Sequence, residues 1–333
     1  MLGLPKKTTL QLVRNSVQIL VALLLLWAGF KFYRFVAYFE SMGATVFTHR
    51  PPVVEAFLPI SAFMSLKLFL ITGMFDRIHP AGLTIFLLAL LLSFFFRKAF
   101  CSWICPIGTI SEGLGLLGAK FLIQVELPTI IDRGLMLIKY LILAFFVKII
   151  VVDMSAFAIA GFLNSPYNRI ADVKMLKFFT EMSTTTAIVL LILAVLSLFI
   201  RNFWCRYLCP YGALLGVISF FSPTAVARDK ELCIDCAACT KACPSKLQVA
   251  KSERVASPEC TGCLRCLEAC PQKDALKLKF LGHKLQPLVF GLGVVLLFFG
   301  GTAVAKLAGY WQTSLSMGDY AQLILNLNFL QHP

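Results

Sequence analysis

Five stretches of this chain, at 16–39, 80–97, 131–152, 184–201 and 286–307, are almost wholly apolar. About 20 such residues in a helix cross a bilayer, and a helix satisfies its own backbone polar groups where no water can. An α-helical integral membrane protein of about five transmembrane helices is therefore expected. Of the 333 residues 59% are hydrophobic and 14% charged, against about 25% charged in soluble domains. Residues 53–73, broken by Pro59 and Lys67, read as an interfacial or re-entrant helix on the outer side. The segments 164–183 and 310–330 read as outer-face pieces.

Basic residues orient the spans. Lys6, Lys7 and Arg14 precede the first, Arg97 and Lys98 end the second, Arg201 and Arg206 end the fourth, and a basic segment, 228–284, precedes the fifth. The positive-inside rule places these in the cytoplasm. The N-terminus is then inside, the C-terminus outside, and the chain is a multi-pass protein of the inner (cytoplasmic) membrane. Arg50, Arg169, Lys174 and Lys177 run against the rule. The first span, with no small-x-small cleavage site after it, reads as an uncleaved anchor. The net charge of +14 follows from this arrangement, and no nucleic-acid partner is expected.

All twelve cysteines fall in ligand-like spacings. Cys233, Cys236, Cys239 and Cys243 form C-x2-C-x2-C-x3-C-P, and Cys260, Cys263, Cys266 and Cys270 repeat it. This is the bacterial two-cluster ferredoxin pattern, in which the fourth cysteine of each run ligates the other [4Fe–4S] cluster. Cluster one is expected on Cys233, Cys236, Cys239 and Cys270, and cluster two on Cys260, Cys263, Cys266 and Cys243. Pro244 and Pro271 end each run. Zinc, with four Cys/His ligands around one ion, fits the third close cysteine poorly. Disulfides would suit an oxidising compartment, so the segment should face the reducing cytoplasm.

The other four cysteines make two C-x3-C-P pairs, Cys101/Cys105 and Cys205/Cys209, within a repeat offset by 104 residues: RKAFCSWICPIG at 97–108 and RNFWCRYLCPYG at 201–212. Residues i and i+4 share a helix face, so each pair offers a two-thiolate jaw. Two repeats facing about a pseudo-two-fold axis would gather four thiolates. These could hold a third Fe–S cluster or another metal such as copper(I), act as redox-active thiols, or be structural. Phe100, Trp103, Trp204 and Tyr207 would restrict water there.

A quinone-linked role needs proton acceptors beside an apolar slot. Glu55, Asp76 and His79, with His49, Arg50 and Arg77 nearby, are the candidates, since ionisable groups at membrane depth are costly and usually functional. Solvated loop charges are the competing reading. Lys139 and Lys148 read as snorkelling side chains, and Asp153 as an outer-loop residue.

The segment HRPPVVEAFLPISAFMSLKLFLITGMFDRIHPAGL at 49–83, the two C-x3-C-P motifs and the double-cluster insert together resemble the NapH-like family of membrane polyferredoxins. The resemblance covers about residues 10–310. It implies electron exchange with the quinone pool and delivery to a partner redox subunit (ferredoxin, cytochrome or reductase), as part of a quinol-linked oxidoreductase complex. Expected domains are membrane helices 1–225, a 2[4Fe–4S] ferredoxin-like α+β domain at 226–282, and a last span with an outer segment at 283–333. A bilayer core of about 30 Å would put a quinol site near Glu55 and His79 awkwardly far from inner-face cysteines. The alternative function is a copper or metal reductase or assembly factor using the C-x3-C-P cysteines.

Overall fold

A computed structural model describes residues 9–272 and 274–330; Lys6 and Lys7, used above for orientation, lie outside the described residues. The chain is mostly helical. Among the described residues, three helices are long and apolar enough to cross a membrane: α1 (Thr9–Glu40), the run Thr129–Asp153, which is α6 (Thr129–Val147) extended by a π turn, and Pro287–Leu307. The last joins α14 (Pro287–Val295) to α15 (Gly301–Leu307) through a π turn at Leu296–Gly300.

The other two expected spans are shorter. α3 (Pro80–Phe96) has 17 residues and α10 (Thr184–Phe199) has 16. At 1.5 Å per residue each reaches about 25 Å, short of the roughly 30 Å hydrocarbon core. α10 joins α9 (Ala171–Thr180) at a 79° bend, and counting that pair as one span gives four at most. Length alone therefore supports three to four crossings rather than five. α3 stops where the backbone of Arg97 turns left-handed, at φ 60°.

The chain divides into two compact units. The first is drawn from residues up to Ala22, from Ala89–Leu143 and from Leu191–Gly300. It contains α4 (Ala99–Trp103), α5 (Pro106–Phe121), a π turn at Trp204–Leu208 and α11 (Pro210–Phe220). Its ferredoxin segment is a four-stranded antiparallel sheet of order β2-β1-β3-β4 with two one-turn helices, α12 (Ala238–Lys241) and α13 (Arg265–Glu268). β1 (Thr224–Arg228) pairs with β3 (Leu276–Phe280) from Thr224↔Phe280 to Arg228↔Leu276. β2 is Arg254–Val255. β3 returns into β4 (His283–Lys284) through Leu281 and Gly282, both at positive φ, the requirement of a tight two-residue hairpin.

One apolar core runs under α4, α11 and the ferredoxin segment. Leu10, Leu92, Phe100, Trp103, Leu215, Val226, Leu264, Leu278 and Phe290 are buried in it, and Cys101, Cys105, Cys243, Cys260 and Cys266 pack against it. The ferredoxin segment and the C-x3-C-P elements thus share a core.

The second unit takes in Leu23–Leu88, Ala144–Leu190 and the chain from Gly301 onward. A 3-10 turn at Pro52–Phe57 leads into α2 (Pro59–Thr72), which ends at Gly73 in the left-handed conformation, φ 72°. The expected non-spanning helix at 53–73 is therefore present, and its 14 residues are too few to cross. α2 packs on α7 (Ala156–Leu163). α8 (Pro166–Arg169), α9 and α16 (Met317–Leu325) complete the unit. A capping box between Ser316 and Asp319 starts α16.

Candidate iron–sulfur centres

The two ferredoxin runs have the same backbone. Asp235 and Ala237 flank Cys236 at φ 50° and 55°; Gly262 and Leu264 flank Cys263 at φ 62° and 57°. Non-glycine residues rarely sit in this region. Alternating left-handed residues turn successive N–H groups to one side, a nest that receives anionic sulfur. Two such nests at matching cysteines fit the donor set of a cubane.

The structure places the ferredoxin cysteines in two neighbourhoods. Cys233, Cys236, Cys239 and Cys270 line a single small cavity, with Arg228 and Pro271 at its wall. Cys243 interacts electrostatically with Cys263 and Cys260, and Cys266 with Cys263, Cys260, Cys243 and, most weakly, Cys239. The fourth cysteine of each run thus lies with the first three of the other.

Cys101, Cys105, Cys205 and Cys209 form a third neighbourhood, Cys101 lying within electrostatic reach of the other three. The local geometry corrects the single-helix jaw. Cys101 lies within α4, but the chain breaks at Ile104, and Cys105 is the extended N-cap of α5. Cys205 lies in the π turn and Cys209 is the extended N-cap of α11. Pro106 and Pro210 explain the break, because proline suits the first turn of a helix and clashes inside one. Each second cysteine therefore receives helix N-terminal N–H groups: Gly212 donates to Cys209 Sγ at 3.2 Å, and Gly108 and Ile107 donate to Cys105. At position 108 a Cβ would stand 2.0 Å from Cys101 O, so only glycine fits.

Burial pushes these thiols up, Cys105 to about 11 and Cys205 to about 12, against the helix N–H donors on Cys105 and the Ser111 hydroxyl on Cys205. Thiolates there need positive charge, which iron would supply. Among the described residues, no three His, Cys, Asp or Glu side chains gather tightly enough for one metal ion. A single tetrahedral ion needs thiolates about 2.3 Å away, whereas a cube spreads four thiolates over four irons.

Hydrogen bonds tie this third neighbourhood to cluster loop two. Ser102 Oγ donates to Thr261 O (2.6 Å), Trp103 Nε1 to Gly262 O (3.2 Å) and the Lys98 N–H to Cys260 O (3.4 Å). Gln11 Nε2 donates to Cys263 O at 2.8 Å. Arg97, 2% exposed, caps Thr224 O, Ser219 O and Val255 O at 2.7–2.9 Å. Of the expected aromatics, Phe100, Trp103 and Tyr207 are buried, and Trp204 is half-buried. Sequence reasoning missed Tyr211, which lies near Cys101, Cys105 and Cys209. It also missed Glu259, which holds Lys98 and Lys139. Lys139 does not snorkel: it is fully buried, 2.7 Å from Glu259 Oε2. Lys148 and Asp153 pair with each other at an exposed position.

The candidate quinone residues lie in the second unit, and two of them, Glu55 and His79, are not solvated loop charges. Glu55 and His79 are buried. Glu55 Oε1 pairs with Arg50 at 2.8 Å, and Oε2 accepts the Gly82 N–H at 2.9 Å. Arg50 also pairs with buried Asp172 at 2.6 Å. His79 Nε2 lies 2.6 Å from Asn168 O, and its Nδ1 is 3.7 Å from Glu55 Oε1. Burial opposes a charge on His79, but Glu55 and Asp172 outweigh it and hold its pKa above the ordinary value. Asp76 is placed differently. Its Oδ1 accepts the Ile78 and His79 N–H groups, Oδ2 pairs with Ser65, and it lines a cavity of about 780 Å³ with Phe69, Phe75 and Tyr310.

A membrane chain with two ferredoxin nests and a third cysteine neighbourhood in the same core is an iron–sulfur electron-transfer protein. The sequence profile of the "4Fe-4S binding domain" matches residues 78–124 and 182–225, one C-x3-C-P pair in each, and that of the "4Fe-4S dicluster domain" matches 225–271. The chain is 40% identical to the "Putative electron transport protein YccM" of Escherichia coli K12, over 96% of this chain and 91% of that protein. It is 32% identical to protein NirI of Paracoccus denitrificans over 39% of this chain and 18% of NirI. It is 26% identical to the ferredoxin-type protein NapH of E. coli K12 over 44% of this chain and 48% of NapH. No solved structure matches. The chain belongs to the NapH-like membrane polyferredoxin family.

Proposed function

We propose that the chain relays single electrons between the quinone pool and a partner redox protein through three [4Fe–4S] clusters. Cluster one is held by Cys233, Cys236, Cys239 and Cys270, cluster two by Cys260, Cys263, Cys266 and Cys243, and cluster three by Cys101, Cys105, Cys205 and Cys209. What supports the reading is that all twelve cysteines lie in one unit, with Cys233, Cys236, Cys239 and Cys270 lining one cavity, Cys101 within electrostatic reach of Cys105, Cys205 and Cys209, and loop two hydrogen-bonded to Ser102 and Trp103. Cubes so held supply one-electron storage.

The residues do the rest. Trp103, Phe100 and Tyr207 exclude water from the third quartet, and the N–H groups at α5 and α11 stabilise its anionic sulfurs. Such burial keeps loss of the electron to solvent oxidants low and tunes the potential.

Oxidising a quinol releases two electrons and two protons, so the quinone end needs a proton acceptor. The cavity lined by Phe69, Phe75, Tyr310 and Asp76 has the volume of a small-molecule site, and Asp76 supplies the carboxylate. Glu55 and His79, next to it in the chain fold through the His79 N–H, extend the polar path. The ferredoxin domain at 226–282 and the N-terminus face the cytoplasm of the inner membrane, and the segment at 283–333 ends on the outer side. The partner docks at cluster one, where Cys236 and Ile234 are exposed.

Anaerobic mixing with a soluble quinol, followed by electron paramagnetic resonance, tests this reading. Signals of reduced clusters are expected, and Asp76→Asn should slow their appearance at least tenfold. Clusters that dithionite reduces but excess quinol never does would remove the quinone from the account.

A further inference from the structure

The charges around the third quartet do not balance within the protein. Lys98 and Lys139 are both buried, and both ammoniums approach the same oxygen, Glu259 Oε2, at 3.2 and 2.7 Å. Tyr140 donates to the other oxygen, Oε1, at 2.7 Å. Two buried positive charges thus share one carboxylate. An uncompensated buried charge costs several kcal/mol, so the excess needs an anion close by.

The surroundings identify it. Lys98 lies within electrostatic reach of Cys101 and Cys209, and Cys209 is reached by both lysines. Cys260 of loop two feels Lys98 and Arg97, and Glu259 is its chain neighbour. A four-thiolate cube carries about −2 when oxidised and gains one more negative charge on reduction. A fixed positive charge beside it favours the reduced form, and a fixed negative charge disfavours it. Screening inside a buried site is weak, so such charges act strongly.

We propose that Lys139 and Glu259 are positioning residues that set the reduction potential of the Cys101/Cys105/Cys205/Cys209 cluster, Lys139 raising it and Glu259 lowering it. Lys98 and Glu259 act on this cluster and on cluster two together, because Lys98 reaches Cys101, Cys209 and Cys260 and Glu259 adjoins Cys260. The triad therefore fixes the potential difference across the step between the two clusters. This inference rests on the third cluster of the proposed function.

The test is a potentiometric titration of the purified, cluster-loaded protein followed by electron paramagnetic resonance, with iron counted in every variant. Lys139→Gln should shift the electron-sharing equilibrium between cluster three and cluster two about tenfold away from cluster three, about 59 mV for one electron. Cluster two should barely move. Glu259→Gln should move cluster three the opposite way, and Lys98→Gln should lower both clusters. Lys139→Arg, which keeps the charge, should restore the wild-type potential. Tyr140→Phe, which removes a hydrogen bond but no charge, should leave it within threefold. Should Lys139→Gln fail to load, Lys139→Met carries the same expectation. Shifts of the same sign in Lys139→Gln and Glu259→Gln, or none in either, with full iron content, overturn this inference alone. A wild-type protein with iron for only two clusters removes the third cluster and the inference with it.

Discussion

The two units bury charge of opposite sign. In the first, two ammoniums, Lys98 and Lys139, share the carboxylate of Glu259. In the second, one guanidinium, Arg50, meets two carboxylates, Glu55 and Asp172, at 2.8 and 2.6 Å. Neither imbalance is stable alone, since a buried unpaired charge is expensive. The first unit carries all twelve cysteines, and anionic clusters would supply its missing negative charge. The second carries none and has a buried histidine instead. A proton on His79, favoured by Glu55 and Asp172, would neutralise that network.

The largest effect that would break this contrast falls in the first unit. Gly108→Ala forces a Cβ to within 2.0 Å of Cys101 O, so the start of α5 and Cys105 must move. The expected result is loss of about one third of the iron, one cluster of three, with the ferredoxin clusters retained. Gly212→Ala is the internal control. Its Cβ would meet Cys209 Sγ at 3.6 Å, an ordinary contact, and full iron content is expected. Equal iron in both variants would dissolve the third quartet as a cluster site.

A smaller effect sharpens the second unit. His79 has its pKa raised in the folded protein, so its charged form stabilises the fold fully below the unfolded value of 6.5. That contribution fades as pH rises through the folded value. Thermal unfolding of the purified protein in detergent should show a melting temperature that falls from about pH 6 to about pH 9. In His79→Gln the fall should be shallower and the melting temperature at about pH 6 lower. An identical pH profile in both proteins would mean that the histidine is not the balancing charge.

Much of the first unit is legible in the sequence because cysteine ligation is written in short spacings. The runs at 233–243 and 260–270 and the repeat at 97–108 and 201–212 each carry their geometry within a dozen residues. The crossover of Cys243 and Cys270 is an expectation of the pattern, and Cys270 lines a cavity with Cys233, Cys236 and Cys239. The helix break at Cys105 and Cys209 was also present as Pro106 and Pro210, but the i, i+4 spacing pointed to a continuous helix. Proline at the first helical position won. Lys139 was invisible as a partner of Glu259 because the two are 120 positions apart. Hydropathy sees a lone lysine in an apolar run and offers snorkelling; only the tertiary fold supplies the carboxylate. The same holds for Arg50 and Asp172, 122 positions apart. The count of five spans is not confirmed for a simpler reason, since helices of 16 and 17 residues lie at the edge of what a bilayer needs.

The account stands most directly on the number of clusters. Iron and acid-labile sulfide per chain, measured on anaerobically purified protein, should each come to about twelve, four for each of three cubes. About eight of each would contradict it, leaving the Cys101, Cys105, Cys205 and Cys209 thiols without a cluster and the relay broken at the point where the two ferredoxin cubes meet the membrane helices.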